Sequence, residues 1–318
     1  MTERIFYDNQ YVQEFKANIV NKYEKDNKFY IELNKTAFFP GGGGQSCDLG
    51  FINGVKVIDV FEDKKKIIHI LESDIENNNE VDCVIDWNRR LDGMIQHLGQ
   101  HVLSGTFYKL FNINTAGIHL GEKISTVDLV GEVSVEAIRE AEKRANEIIL
   151  EGHEVEFINT NRREAKSMGL RRELATKDDS IRVVKIEGLD INACCGVHPS
   201  NTRELQLIKI KGFEKHKGNT RIEFLAGNRA VLDYLRRDIV LEEICNYLSS
   251  GDDEVMKTIS NLNNNLKEVK EENVKLKTSL SEYEIKELID NGEQFKNIVI
   301  VSKIYSESNM KYLTKIAN

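Results

Sequence analysis

Long apolar runs are missing from this chain of 318 residues. No stretch approaches the roughly 20 residues a membrane-spanning helix needs, so none is expected. The first residues, Met1 to Asp8, lack the basic-then-apolar layout of a secretory leader. Cysteine is scarce and odd in number: five, at Cys47, Cys83, Cys194, Cys195 and Cys245. That excludes a disulfide framework as the organising device and points to a reducing, cytoplasmic setting. The formal charge of −8 advertises no general affinity for nucleic acid. The two prolines carry no chemical signal. What remains is ordinary globular composition, 40% hydrophobic and 30% charged, in a length that suits two or three domains.

Histidine is also sparse, at seven residues, yet its placement is informative. His97 and His101 are four apart in a segment expected to be helical, so both imidazoles project from one face, one turn apart. Cys194 and His198 repeat the spacing almost a hundred residues later. Either pair alone is a weak signal and is better read as buried structure, since an unpaired Cys behaves as a small apolar residue. Together they offer three nitrogens and one sulfur, a tetrahedral donor set that Zn²⁺ prefers. A zinc-protease helix is excluded because Leu98 stands where the general-base Glu would follow the first His.

A second candidate site is the segment Thr36 to Gly50, with four consecutive glycines from Gly41 to Gly44. Glycine permits close approach of backbone to another surface. A phosphate cradle would need Lys-Ser/Thr after the glycines, but Gln45 stands there, so a loop lying over a neighbouring pocket fits better.

Periodicity organises the rest. Phe15, Ala17 and Ile19 alternate with polar residues, as do Phe29, Ile31 and Leu33, then Val55 and Val57, then Ile68 and Ile70. Turn signals at Asp8-Asn9, Lys25-Asp26-Asn27, Asn53-Gly54 and Asp63-Lys64-Lys65 separate them. Residues 1–86 are therefore expected to form a small β-barrel domain, a sandwich being the alternative. Residues 87–227 are expected to form an α+β core. An amphipathic helix over 88–111 carries the histidine pair, and a second over 134–152 is capped by Ser134 and stopped by Gly152. Strands are expected at 124–130, 154–158, 181–187 and 204–210. Residues 228–292 read as a helical arm. Val255, Ile259, Leu262, Leu266, Val269, Asn273, Leu276, Leu280 and Tyr283 keep heptad spacing, which suggests a coiled coil with Asn273 at an a-type position. Residues 293–318 read as an incomplete α/β piece, a strand at 297–301 with a helix at 306–317 behind it. Basic residues cluster at Arg162, Arg163, Lys166, Arg171 and Arg172, and again from Arg203 through Lys209, Lys211, Lys215 and Lys217 to Arg221. Such runs suit phosphates as well as they suit solvent.

The succession Thr36-Ala-Phe-Phe-Pro-Gly-Gly-Gly-Gly-Gln45, His97-x-x-x-His101 and Cys194-x-x-x-His198 resembles the alanyl-tRNA editing family, which comprises free-standing editing proteins and the editing domain of alanyl-tRNA synthetase. Gly117 to Gly121, Ser125 to Asp128, Arg182 to Val184, Asp190 and Arg221 to Glu223 agree with it. The resemblance covers about 5–227 and continues loosely into the arm. It implies hydrolysis of the ester joining serine or glycine to alanine-specific tRNA. It also implies one Zn²⁺ on His97, His101, Cys194 and His198, Thr36 against the serine hydroxyl, and Gln45 at the pocket. Gly43, Gly44, His119, Arg171, Arg172 and Arg221 are the expected substrate and tRNA contacts. A second copy of the chain is a candidate partner through the arm. The synthetase's ATP-using domain has no counterpart, so aminoacylation is not expected, and the longer members' C-terminal glycine-rich motif is missing. Zinc can polarise an ester and supply a nucleophile, but four protein ligands make a closed site of the structural type. A metal-stabilised RNA-binding or assembly protein without turnover is the competing reading.

Overall fold

Alternation and tight turns build the N-terminal stretch. The computed structural model describes residues 2–76, 79–174, 178–306 and 314. A short strand β1 (Glu3–Arg4) and a one-turn helix α1 (Ile5–Asp8) precede β2 (Glu14–Lys25) and β3 (Lys28–Leu33). Next come β4 (Lys35–Thr36), β5 (Gly50–Ile52), β6 (Val55–Asp63), β7 (Lys66–Leu71) and β8 (Glu80–Ile85). Six of these pair in the closed order β2-β3-β7-β6-β5-β8, so no edge of the ring is left open. Three of its connections are two-residue turns with both central residues at positive φ. They are Asp26-Asn27 (51°, 57°), Asn53-Gly54 (47°, 78°) and Lys64-Lys65 (47°, 67°). That combination belongs to the type I′ turn, whose twist matches the flanking strands. The inward faces bring Ala17, Ile31, Leu33, Ile52, Val57, Ile67, Leu71 and Val81 into one apolar core.

Helix α2 (Trp87–Phe111) follows, capped by Asp86, whose side chain accepts from Arg89 N, and ended by Asn112 in the left-handed region. Its length matches the expected 88–111, but it is not amphipathic. Every residue from Met94 to Phe107 is buried, so the helix is surrounded on all sides. Gly99 makes this possible: a Cβ there would lie 2.8 Å from the Ala226 Cβ.

Around α2 lie β9 (Thr115–Leu120), β10 (Ser125–Leu129), α3 (Val135–Glu151), β11 (Val155–Asn161), α4 (Arg162–Ser167), β12 (Ser180–Ile186), β13 (Asp190–Ala193), β14 (Ile208–His216) and β15 (Asn219–Ala226). They form a four-stranded sheet, β14-β15-β10-β9, and a three-stranded one, β11-β12-β13. The caps expected for α3 hold: Ser134 accepts from Ala137 N, and Gly152 ends the helix at φ 77°. The strand expected at 204–210 starts later. Thr202–Leu205 is a 3₁₀ turn with a capping box between Asn201 and Glu204, which diverts the backbone donors that a strand would use.

Barrel and α/β layer belong to one unit, Met1–Leu235; the second unit is Arg236–Asn318. Helix α5 (Asn228–Leu248) crosses from one to the other, and α6 (Val255–Asp290) and the hairpin of β16 (Glu293–Phe295) and β17 (Ile298–Ile300) complete the second. Leu262, Leu266, Val269, Leu276, Leu280 and Tyr283 of the expected seam are exposed, so no other described part of this chain covers those positions. The strand expected at 297–301 pairs with β16. The helix expected at 306–317 lies outside the described residues, apart from residues 306 and 314. No described helix is long and apolar enough to cross a membrane.

Candidate metal centre

Helix α2 presents His97 and His101 from one face, with ring centroids 5.3 Å apart. β13 delivers Cys194, and the tight segment after it returns His198 to the same point. One ligand atom from each of the four lies within 4.8 Å of all the others. Cys194 Sγ is 3.3 Å from His97 Nε2 and 3.6 Å from His198 Nε2. Donors bound tetrahedrally at about 2.0–2.3 Å are separated by about 3.3–3.8 Å, so these spacings suit one Zn²⁺. The buried nitrogen His101 Nε2, on the far side of the ring from Asp190, has no hydrogen-bond partner among the described residues, a costly arrangement unless something binds there. Three imidazoles and a thiolate therefore fit a metal ion.

The far side of each α2 ring is fixed. Gln45 Oε1 lies 3.1 Å from His97 Nδ1 and accepts from Val197 N at 3.1 Å. An amide oxygen only accepts, so His97 Nδ1 carries the proton and Nε2 is left for a metal. His101 Nδ1 is 2.8 Å from Asp190 Oδ2, and Asp190 accepts from Arg171 Nε at 2.7 Å. Carboxylate–imidazole support of this kind orients a ligating ring and raises its basicity. Gly196 is required by the packing, since a Cβ there would sit 2.2 Å from His97 Cε1.

Electrostatics follow from this geometry. Burial alone would raise the Cys194 thiol, but the imidazoles of His97, His198 and His101 gathered around it hold it well below its ordinary value. Burial would lower His101, yet Asp190 and the Cys194 sulfur raise it to about 9. Burial and the His97 charge push His198 down to about 3. Because His101 is raised above the ordinary 6.5, its contribution to metal-free stability is complete below that value and is lost as pH rises through about 9. At about pH 7.5 a metal-free His101, raised to about 9, holds a proton that metal uptake must expel. Calorimetric zinc titration in buffers of differing ionisation enthalpy is expected to show release of about one proton, declining above pH 9. Release of two or more would mean that the thiol starts protonated.

The glycine-rich loop covers the cluster. Gly43, at φ 60°, has its Cβ position 3.2 Å from His97 Cε1 and 3.6 Å from Cys194 Sγ, and that of Gly44 is 3.4 Å from Ile118 Cδ1. Gln45 also borders a surface pocket with Arg89, Asp92, Gln96 and Arg229. Thr36 is fully buried in the barrel, 2.9 Å from His69 Nε2, and accepts from Phe38 N. His119 is exposed on β9.

The expected tRNA-contacting arginines are placed differently from one another. The side chain of Arg171 is only 2% exposed, and its donors are spent on Asp190 and Thr115. It supports His101 through Asp190 instead of facing a surface. Arg172 is half-buried, and Arg221 pairs with Asp128 through two hydrogen bonds. The second basic run is largely neutralised, Lys209 by Glu142, Lys211 by Asp233 and Lys215 by Glu132. Sequence reasoning missed the roles of Asp190 and Arg171. The available signal was an acid four residues before the ligand cysteine, on the strand that delivers it.

Residues 181–223, which include Cys194 and His198 of the cluster, match the family model of the threonyl and alanyl tRNA synthetase second additional domain. The chain is 31% identical to the alanyl-tRNA editing protein AlaX-L of Pyrococcus horikoshii, over 98% of this chain and 79% of that one. It is 33% identical to the alanyl-tRNA editing protein Aarsd1-B of Xenopus laevis, over 91% of this chain and 71% of that one. An alanine–tRNA ligase of Methanobrevibacter smithii is 31% identical over 99% of this chain but only 37% of its own length. The chain belongs to the alanyl-tRNA editing protein family.

Proposed function

We propose that this protein is a trans-editing hydrolase, which deacylates alanine-specific tRNA carrying serine or glycine and depends on one Zn²⁺. The observation that carries the reading is the convergence of His97, His101, Cys194 and His198 beneath a glycine loop, in a chain similar over most of its length to alanyl-tRNA editing proteins. The chemistry a bound zinc supplies there is positive charge against a reacting ester carbonyl or the terminal nucleoside.

The protein's own side chains supply the rest. Gln45 fixes the His97 tautomer, and Asp190, braced by Arg171, fixes that of His101. Gly43, lacking a side chain, lets the loop backbone lie directly over the cluster. Thr36 provides the hydroxyl test. His69 Nδ1 lies 3.2 Å from Ile31 O, which can only accept, so Nε2 is unprotonated and takes the Thr36 proton. Burial lowers His69 to about 4, which keeps it neutral. Phe38 N occupies one Thr36 lone pair, and the other is left to accept from a serine hydroxyl. Alanine would leave that acceptor unpaired, which is the basis for sparing the correct product. Exposed His119, half-buried Arg172 and Arg221, which is paired with Asp128, are the remaining contacts proposed for the tRNA.

One observation favours a second reading. Four protein donors already fill a tetrahedron, the pattern of structural zinc, and a non-hydrolytic RNA binder would have the same set. Turnover separates the two. The zinc-loaded protein is expected to release serine from Ser-tRNA(Ala), and Thr36→Val to cut that release about tenfold or more while keeping its metal. Protection of the ester by wild-type protein would overturn the hydrolase.

A further inference from the structure

Arg182 stands on β12, on the wall of the metal centre, and the chemistry above makes no use of it. Its guanidinium lies between two rings, 4.7 Å from the Tyr7 centroid and 4.6 Å from the Phe157 centroid. Phe157 reaches it because β11 and β12 are antiparallel and Asn159 opposes Arg182, which puts residue 157 on the same face as a diagonal neighbour. Nη1 donates to Cys194 O at 3.2 Å and Gly196 O at 2.9 Å. Tyr7 hydroxyl donates to the carbonyl between them, Cys195 O, at 2.7 Å.

This environment holds a cation without neutralising it. Among the described residues no carboxylate pairs with Arg182, and Nε and Nη2 have no acceptor, nor are they sealed from solvent. Glu62, the acid that faces Cys195, is occupied by Arg4 at 2.6 Å. A partly buried guanidinium normally finds a carboxylate; here one side of the fork is anchored to carbonyls and the other side is open. Rings above and below remove most of its rotamer freedom before anything binds.

We propose that Arg182 is a preset anion site that takes a backbone phosphate of the single-stranded acceptor end whose ester reaches the cluster. This rests on the editing reading above and adds to it the residue that grips the substrate's backbone. Phosphodiester oxygens match the open fork in charge and geometry. Exposed Cys195 and the glycine loop adjoin the same wall, so a chain end held by Arg182 lies beside Gly43 and the ligand set.

The test is binding of an uncharged alanine-tRNA acceptor minihelix to zinc-loaded full-length protein across a salt series, with wild type, Arg182→Met and Arg182→Lys. Losing one phosphate contact is expected to weaken binding roughly ten- to hundredfold and to reduce the slope of log Kd against log salt by about 0.7–1. Lysine keeps the charge but cannot hold two carbonyls between two rings, so it should restore the slope. A structural staple behaves differently: both variants would weaken binding without moving the slope. That result, or a lysine variant indistinguishable from methionine, overturns the proposal. Deacylation of Ser-tRNA(Ala) by wild type is scored separately, so failure of the hydrolase reading is distinguishable from failure of the phosphate contact.

Discussion

Cys194→Ala is expected to leave a folded protein that no longer retains zinc through dialysis and no longer releases serine from Ser-tRNA(Ala). The thiolate is the one anionic donor of the four, and it lies within 3.6 Å of two ligand imidazoles. Loss of an outer partner of a metal ligand typically costs about 10–100-fold in metal affinity, so removing the sulfur itself should cost more than about 100-fold. His101→Ala should behave likewise, and Asp190→Asn should fall in the 10–100-fold range, because it keeps an oxygen near His101 Nδ1 while weakening the support from Arg171. Metal content by elemental analysis and deacylation rates are the measurements. Full turnover by a metal-free Cys194→Ala protein would remove the metal from the reaction altogether.

The second large effect lies away from the metal. Asp48→Ala is expected to destabilise the first unit by about 3–5 kcal/mol, the usual cost of leaving one partner of a buried ion pair alone. Arg90 is 1% exposed and Asp48 2% exposed, and Arg90 Nε is 2.9 Å from both Asp48 oxygens. The same guanidinium donates to Gln10 O and Ala37 O, and Asp48 also accepts from Phe39 N at 2.6 Å. One arginine on α2 thus ties down both ends of the glycine-loop segment. For a unit of this size the loss corresponds to a drop in Tm of roughly 10 °C. A double variant Arg90→Met/Asp48→Leu should recover much of it, since well-packed apolar replacements of buried pairs are often neutral. A single variant with unchanged Tm would show that the pair is not sealed from water.

Much of the first unit was legible because its signals are local. Alternation at Phe15-Ala17-Ile19 and the turn residues at Asn53-Gly54 report on neighbours in sequence, and Ser134 and Gly152 bound α3 by chemistry confined to one turn. The pair His97 and His101 was legible because i, i+4 spacing on a helix puts both rings on one face, whereas Cys194 and His198 come together through an irregular segment. Other features depend on partners far along the chain. Arg171 reads as one of a basic run, yet Asp190 draws it inward; Lys209, Lys211 and Lys215 read as a patch, yet acids from α3, α5 and the segment before α3 meet them. Helix α2 reads as amphipathic, but Gly99 lets β15 close over its polar side. The heptad spacing of α6 describes a surface able to pair, and spacing alone does not supply the partner.

Gln45 spans the seam between the barrel and the α/β layer, with one oxygen shared by a ligand ring and the amide of Val197. Whatever holds the His97 ring in place therefore also holds that joint, so the cluster and the contact between the two layers depend on the same amide.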